Sequence, residues 1–253
     1  MRYLPKIICR LVNDDCVSFL TVAGDELYDL IIADPPYNIG VDYGGGAKKD
    51  RRPDYDTWCE EWIGLCRNAL KPDGSIWIVS GQEHAADIDI AMRKCGLHMR
   101  NRITWQENFG VYCSRKFGRT SRPIFYATKS KTDFKFNAET VMVPSARATK
   151  YNDKRASRSG LKIMGDVWTI NRVCGTFRER VKGVPTQLPF ELVRRIVAVS
   201  SIPGDYIFDP FAGSGTTVVV AKEMNRSAVG VELSRKFFDI ATKRLEAVGH
   251  AAP

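Results

Sequence analysis

The stretch Tyr206–Glu232 constrains the fold of this chain more than any other. A short apolar run, Tyr206–Phe208, ends at Asp209 and opens into the turn Asp209-Pro210-Phe211-Ala212-Gly213-Ser214-Gly215-Thr216-Thr217. A helical pattern follows over Thr216–Asn225, and a second apolar run, Ser227–Val231, ends at Glu232. Strand, glycine turn, helix and strand form one β-α-β unit, in which the glycines let the backbone approach a ligand at the helix N-terminus. Glu232 lies 23 residues beyond Asp209, near the offset of about 20 at which an acid meets ribose hydroxyls in nucleoside-binding α/β folds. The turn is not the full G-x-G-x-x-G pattern, and it lacks the Lys of a phosphate-cradling P-loop. A nucleoside cofactor without pyrophosphate fits it, with Asp209 facing a positively charged group of that cofactor.

The rest of the chain alternates short apolar runs with helical patterns, which favours parallel strands and crossover helices. Strands are expected at Lys6–Arg10, Leu27–Ala33, Ser75–Val79, Arg100–Trp105 and Arg122–Ala127. Helices are expected at Asp14–Ala23, from Trp58 to Leu70 behind a cap at Asp56 or Thr57, at Asp87–Cys95, at Pro189–Val199 and at Lys236–Val248. Pro72-Asp73-Gly74 reads as a turn. Gly40–Asp56, with three consecutive glycines and Lys48, Lys49, Arg51 and Arg52, reads as a mobile basic loop. From Gln106 to Lys182 the periodicity fades.

The run Leu27–Ala33 ends at Asp34-Pro35-Pro36-Tyr37, where two prolines stop any strand. Taken alone the tetrapeptide is a turn with a buried tyrosine. At the end of an apolar strand it occupies the place where α/β folds bind ligands. The exocyclic amine of a nucleobase is a poor nucleophile because its lone pair is delocalised into the ring. A catalyst needs acceptors for the amino hydrogens, and the Asp34 carboxylate and Pro35 carbonyl would supply two. Tyr37 offers an aromatic face on which a base rotated out of its duplex can stack. A single in-line displacement needs no cysteine nucleophile and no metal.

Charge is concentrated in the centre of the chain. Between Arg100 and Lys182 there are 19 Lys and Arg against 6 Asp and Glu, a larger surplus than the +9 of the whole protein. Such a segment suits a phosphate-facing surface, although charge alone does not separate that from a solvated face. The seven cysteines are scattered without a C-x-x-C pair, and His84, His98 and His250 stand apart, so neither a disulfide framework nor a metal site is expected. No apolar run reaches the roughly 20 residues of a membrane span, and the N-terminus lacks a signal-peptide pattern, so a cytoplasmic location is expected. The 253 residues suit one α/β domain, or a domain with an insertion.

Taken together, Asp29–Gly40, Leu70–Ser75, Pro185–Pro189, Ser200–Asp205, Phe208–Thr217 and Val229–Glu232 resemble the β class of amino DNA methyltransferases, in which the catalytic motif precedes the cofactor motif. The resemblance implies an α/β, three-layer, doubly wound fold of Rossmann-like methyltransferase type, with a mostly parallel seven-stranded sheet. Residues 1–105 and 183–253 would form the catalytic and cofactor-binding domain, and 106–182 an inserted target-recognition region. S-adenosylmethionine would sit at Asp209, Phe211, Gly213, Ser214, Gly215, Thr216 and Glu232. By the same resemblance Asp14, Asp15 and Cys16 would meet its adenine, and Thr186 and Gln187 would form a second wall. Val184 stands where the family often carries His. The target base would lie at Asp34, Pro35, Pro36 and Tyr37.

Within 106–182, Arg115, Lys116, Arg119 and Arg122 form the densest basic cluster, expected to bind double-stranded DNA. An Asp at the first motif position resembles enzymes that act on the N6 of adenine, whereas Ser is typical for the N4 of cytosine. Cytosine-N4 methylation, and a non-catalytic DNA-binding regulator of the same fold, are the alternatives. The resemblance also brings in a homodimer and a cognate restriction endonuclease as partners.

Overall fold

The computed structural model describes residues 6–43, 50–107, 113–151, 153–155, 157 and 159–248. In chain order they form β1 (Cys9–Val12), α1 (Cys16–Ala23), β2 (Tyr28–Ala33), α2 (Tyr55–Ala69), β3 (Leu70–Val79), α3 (Ala85–Lys94), β4 (His98–Gln106) and β5 (Ser121–Thr128). There follow β6 (Met142–Pro144), α4 (Ala146–Thr149), β7 (Leu161–Ile163), β8 (Val167–Thr169), α5 (Phe190–Ser200), β9 (Tyr206–Asp209), α6 (Thr216–Glu223), β10 (Ser227–Val231) and α7 (Arg235–Ala247). The glycine run and its two lysines, within the basic loop expected after the first motif, lie outside the described residues, as does His250.

Every residue of β2 is buried, the mark of a strand covered on both faces. Its side chains alternate between two cores. Ile31 and Ala33 pack with α1, α2 and α3, whereas Leu30 and Ile32 pack with α5 and α6. One sheet between two helical layers is the three-layer arrangement expected. The main sheet runs β1-β10-β9-β2-β3-β5-β4-β8. Only β5 runs against the others, pairing antiparallel with both β3 and β4.

The sheet has eight strands where seven were expected, because β8 adds in parallel to the edge of β4 with Trp105 opposite Trp168. Trp168 and Ile170 are buried in the second core, which explains why this short piece of the central segment docks. The span 106–182 therefore gives β5 and β8 to the main sheet, and its remaining strands, β6 and β7, form a small hairpin-like pair. Apolar residues on both faces of β5, from Ile124 to Ala127, account for its central position.

Two local expectations change. The Pro72-Asp73-Gly74 turn lies inside β3 as an irregularity, where five steps of β3 pass two steps of β2. Helix α2 starts at Tyr55, earlier than the expected caps, because the Tyr55 ring is buried and its hydroxyl donates to the Pro36 carbonyl at 2.9 Å.

The site follows from the topology. Strand order turns outward in both directions from the neighbouring pair β9 and β2, the switch point at which open α/β sheets bind ligands. Their pairing covers Leu30 with Ile207 and Ile31 with Phe208. Asp209 and Asp34 lie just beyond it, where the strand ends open a crevice.

Candidate active site

A cavity of about 580 Å³ lies in that crevice. Asp34 comes from the end of β2, Asp209 from the end of β9, Glu232 from the end of β10, and Asp15 and Cys16 from the start of α1. Phe211 lines it too, held edge-on against Trp58 and Trp62 at 5.7 and 5.1 Å between ring centroids.

On the cofactor side, carboxylates organise the backbone. Asp209 accepts the Phe211 N–H at 2.9 Å. Glu232 accepts the Gly213 N–H at 2.8 Å and the Ser234 N–H at 2.7 Å. Gly215 has φ +77°, and a Cβ there would sit 3.0 Å from Ala241 Cβ, so both conformation and space call for glycine. Arg244 of α7, which sequence reasoning missed, donates to the Ser214 carbonyl and hydroxyl and to the Thr216 hydroxyl at 2.9–3.1 Å. It locks the turn from behind. As one of several basic residues in a surface-patterned helix it gave no signal of this.

Asp15 caps α1 by accepting the N–H groups of Val17 and Ser18 at 2.9 and 3.1 Å. Cys16 is buried, and burial together with Asp15 pushes its thiol far above the ordinary range. Thr186 shares a hydrogen bond with Tyr43. Gln187 lines the cavity but uses its amide on the chain behind it, donating to the Glu179 carbonyl at 2.7 Å and accepting from Val181 N–H at 2.9 Å. Val184 is buried at the cavity wall.

The electrostatics favour a cationic ligand. Burial, reinforced by Asp34 and Glu232 and opposed by the hydrogen bond from the Phe211 N–H, raises the Asp209 carboxyl to about 7. Burial also raises Glu232 and Asp34. Three carboxyl groups held above their usual range in one cavity are short of positive charge, which a sulfonium and an ammonium would supply.

On the base side, the Tyr37 hydroxyl donates to Asp34 Oδ1 at 2.5 Å. The ring is only 7% exposed and packs on Gly81, where a Cβ would come within 3.2 Å of it. The aromatic face expected to be open is thus packed away, because the Asp34 carboxylate captures the phenol. Pro35 is buried beside it. The segment after the motif is ordered by Asp50, which sequence reasoning also missed. This buried carboxylate accepts four successive backbone N–H groups, Asn38 to Val41, at 3.0–3.2 Å. Asn38 and Gly40 adopt positive φ of 59° and 84° to aim them.

Residues 28–243 match the profile of a family described as DNA methylase. The chain belongs to the DNA methylase family. It is 32% identical over 247 residues to the DNA adenine methyltransferase YhdJ of Escherichia coli K12, covering 95% of this chain and 83% of that protein. Among solved structures, the M1.HpyAVI–SAM complex superposes with a TM-score of 0.67 at 22% identity, covering 93% of this chain and 98% of the other. The cytosine-N4-specific PvuII DNA methyltransferase superposes with a TM-score of 0.73 at 16% identity, covering 95% of this chain and 88% of the other. No helix among the described residues is long and apolar enough to cross a membrane.

In this DNA methylase the expected basic cluster divides. Arg115, Lys116 and Arg119 are exposed, with Arg119 paired to Glu83. Arg122 instead turns inward, its side chain 24% exposed, with Nη1 3.5 Å from the Tyr37 hydroxyl. Burial disfavours its charge, but Tyr37, Glu107 and Asp34 outweigh this and hold it protonated. Glu107, the acid just past the end of β4, is also buried in this group and went unnoticed in a span read only for its cations.

Proposed function

We propose that this DNA methylase transfers the methyl group of S-adenosylmethionine to the N6 amino group of adenine in duplex DNA, after the base has rotated out of the helix. The observation that carries this reading is the pairing of Asp34 and Asp209 at adjacent strand ends of one cavity. One acid suits a nucleophilic amine and the other a cationic cofactor.

S-adenosylmethionine supplies an electrophilic methyl on a sulfonium. Asp209 and Glu232 would hold its charged and hydroxylated ends, and Phe211, Gly213, Ser214, Thr216, Asp15, Cys16 and Thr186 would shape the chamber. Asp34 accepts a hydrogen bond from the exocyclic amine, which draws the nitrogen lone pair out of conjugation with the ring. Methyl transfer from the bound sulfonium, which would leave as the neutral thioether, would place positive charge on that nitrogen. The Asp34 carboxylate stabilises that charge and takes the departing amino proton. Tyr37 keeps its hydroxyl on Asp34 and orients that carboxylate toward the amine. Proximity in a dry chamber contributes much of the rate.

The base assignment rests on Asp at the first motif position and on the adenine-specific relative. The fold alone does not choose the base, since the PvuII enzyme of the same fold is cytosine-N4-specific. The deciding assay incubates purified protein with methyl-labelled cofactor and mixed-sequence duplex DNA, then separates the nucleosides by mass spectrometry. Label on adenine N6 is expected. Label on cytosine replaces the base assignment, and label only in added RNA, or nowhere, defeats the proposal.

A further inference from the structure

Arg122 sits opposite Trp105 in the β4–β5 ladder, on the strand that borders the catalytic end of β3. Its guanidinium lies 5.2 Å from the Trp105 ring and 5.7 Å from the Tyr37 ring. Nε is 3.2 Å from Glu107 Oε1, and Nη1 is 3.5 Å from the Tyr37 hydroxyl, which in turn donates to Asp34. Glu107 is 5% exposed, and its other oxygen lies 3.9 Å from Arg172 Nη1. The strand start is fastened to the catalytic side by Gln82, whose amide donates to the Ser121 carbonyl and hydroxyl at 2.9 and 3.1 Å. Gln82 is the neighbour of Gly81, on which Tyr37 packs.

This placement separates Arg122 from the cations beside it in sequence. A phosphate-binding arginine presents its planar fork to solvent, as the exposed Arg115 and Lys116 can. Arg122 has one edge against a buried carboxylate, another against a phenol, and an aromatic ring to either side. A lone buried cation next to Asp34 would oppose the positive charge that develops on the methylated nitrogen. Glu107 offsets that field while leaving the guanidinium able to orient the phenol, because opposite charges in sequence, Asp34, Arg122 and Glu107, cancel at a distance but act at contact.

We propose that Arg122, held by Glu107, is a positioning residue for methyl transfer: it fixes the Tyr37 hydroxyl, and through it the Asp34 carboxylate, rather than contacting DNA phosphate. The inference rests on the proposed function.

The test uses the full-length protein, its cofactor and duplex DNA. Wild-type transfer into DNA is measured first, since its absence defeats the proposed function and not this inference alone. Arg122→Gln is expected to lower kcat at saturating cofactor by ten- to hundredfold while leaving cofactor Kd within twofold. The slope of log Kd for DNA against log salt should stay unchanged. Loss of a phosphate contact would flatten it by about 0.9.

The acid limb of the kcat–pH profile should move to higher pH in Arg122→Gln, because Asp34 loses the cation that, among the described residues, faces it together with Tyr37, Tyr43 and Asp209. Arg122→Lys, which keeps the charge, should restore the limb but not the full kcat. Glu107→Gln should lower kcat without moving the limb upward. A flattened salt slope with an unmoved acid limb would overturn the proposal. So would wild-type kcat in Arg122→Gln, or equal loss in all three variants tracking a common fall in Tm.

Discussion

Lowering the pH from 7.5 to 6 should weaken cofactor binding, and Asp209 should be the reason. Its carboxyl is raised from 3.8 to about 7 by burial and by its anionic neighbours. A cationic cofactor beside it favours the ionised form, so binding is coupled to loss of a proton. If the bound form titrates near its ordinary value, affinity falls by roughly eightfold between pH 7.5 and pH 6, or about 1.2 kcal/mol. The window stays below the ammonium's own titration at about 8.

Calorimetry in two buffers of different ionisation enthalpy reads both quantities. At pH 6 the wild type should release roughly 0.9 proton per cofactor bound, whereas Asp209→Asn should bind more weakly, with a flat profile and no release at this site. The same elevation acts on stability with the opposite sense to an ordinary salt-bridged acid. Between about 4 and 7 the folded protein binds more protons than the unfolded chain, so stability falls as pH rises. Cofactor should therefore raise Tm more at pH 7.5 than at pH 6. A wild-type affinity flat within twofold across this window, or an Asp209→Asn variant that keeps the slope, would refute the reasoning.

Asp34→Ala should abolish methyl transfer and leave cofactor Kd within about threefold, checked by label transfer and calorimetry on the same preparation; an equal loss of cofactor affinity would reassign the residue. Asp50→Ala strands four backbone donors and should destabilise the segment after the motif by on the order of 3 kcal/mol, seen as faster hydrogen exchange at residues 38–41 with transfer reduced. Gly230→Ala would place a Cβ 2.8 Å from Leu11 and Val218 side-chain carbons and should lower stability by about 2 kcal/mol in urea titration. Asp29, far from the cavity, is buried, which favours its neutral form, but hydrogen bonds from Lys135, Lys71 and the Tyr206 N–H prevail and hold its carboxyl below the usual range. Its contribution is present above the unfolded value of about 3.9 and is lost as pH falls through the folded one, so Asp29→Asn should flatten the acid side of the stability curve.

Much of this was legible because periodicity and turn chemistry are local. The glycine turn, the double proline and the largely apolar β2 each declared an element and its end, and the two acids at strand ends marked a cavity. What stayed hidden depends on partners remote in sequence. Gln187, read as cofactor wall, binds the backbone of residues 179 and 181. Arg244 reaches back 28 residues to Thr216, and Asp50 meets its four donors only once the chain has turned at Asn38 and Gly40. Arg122 shows the limit most clearly. By composition it is one of four clustered cations, yet β-sheet alternation sends it inward opposite Trp105 while Arg115, Lys116 and Arg119 stay in the exposed approach to β5. Net charge describes what a segment attracts from a distance. Which cation leaves that field to serve the catalytic carboxylate is decided by the strand register, and Glu107, an acid in the most basic part of the chain, is the residue that makes its burial tolerable.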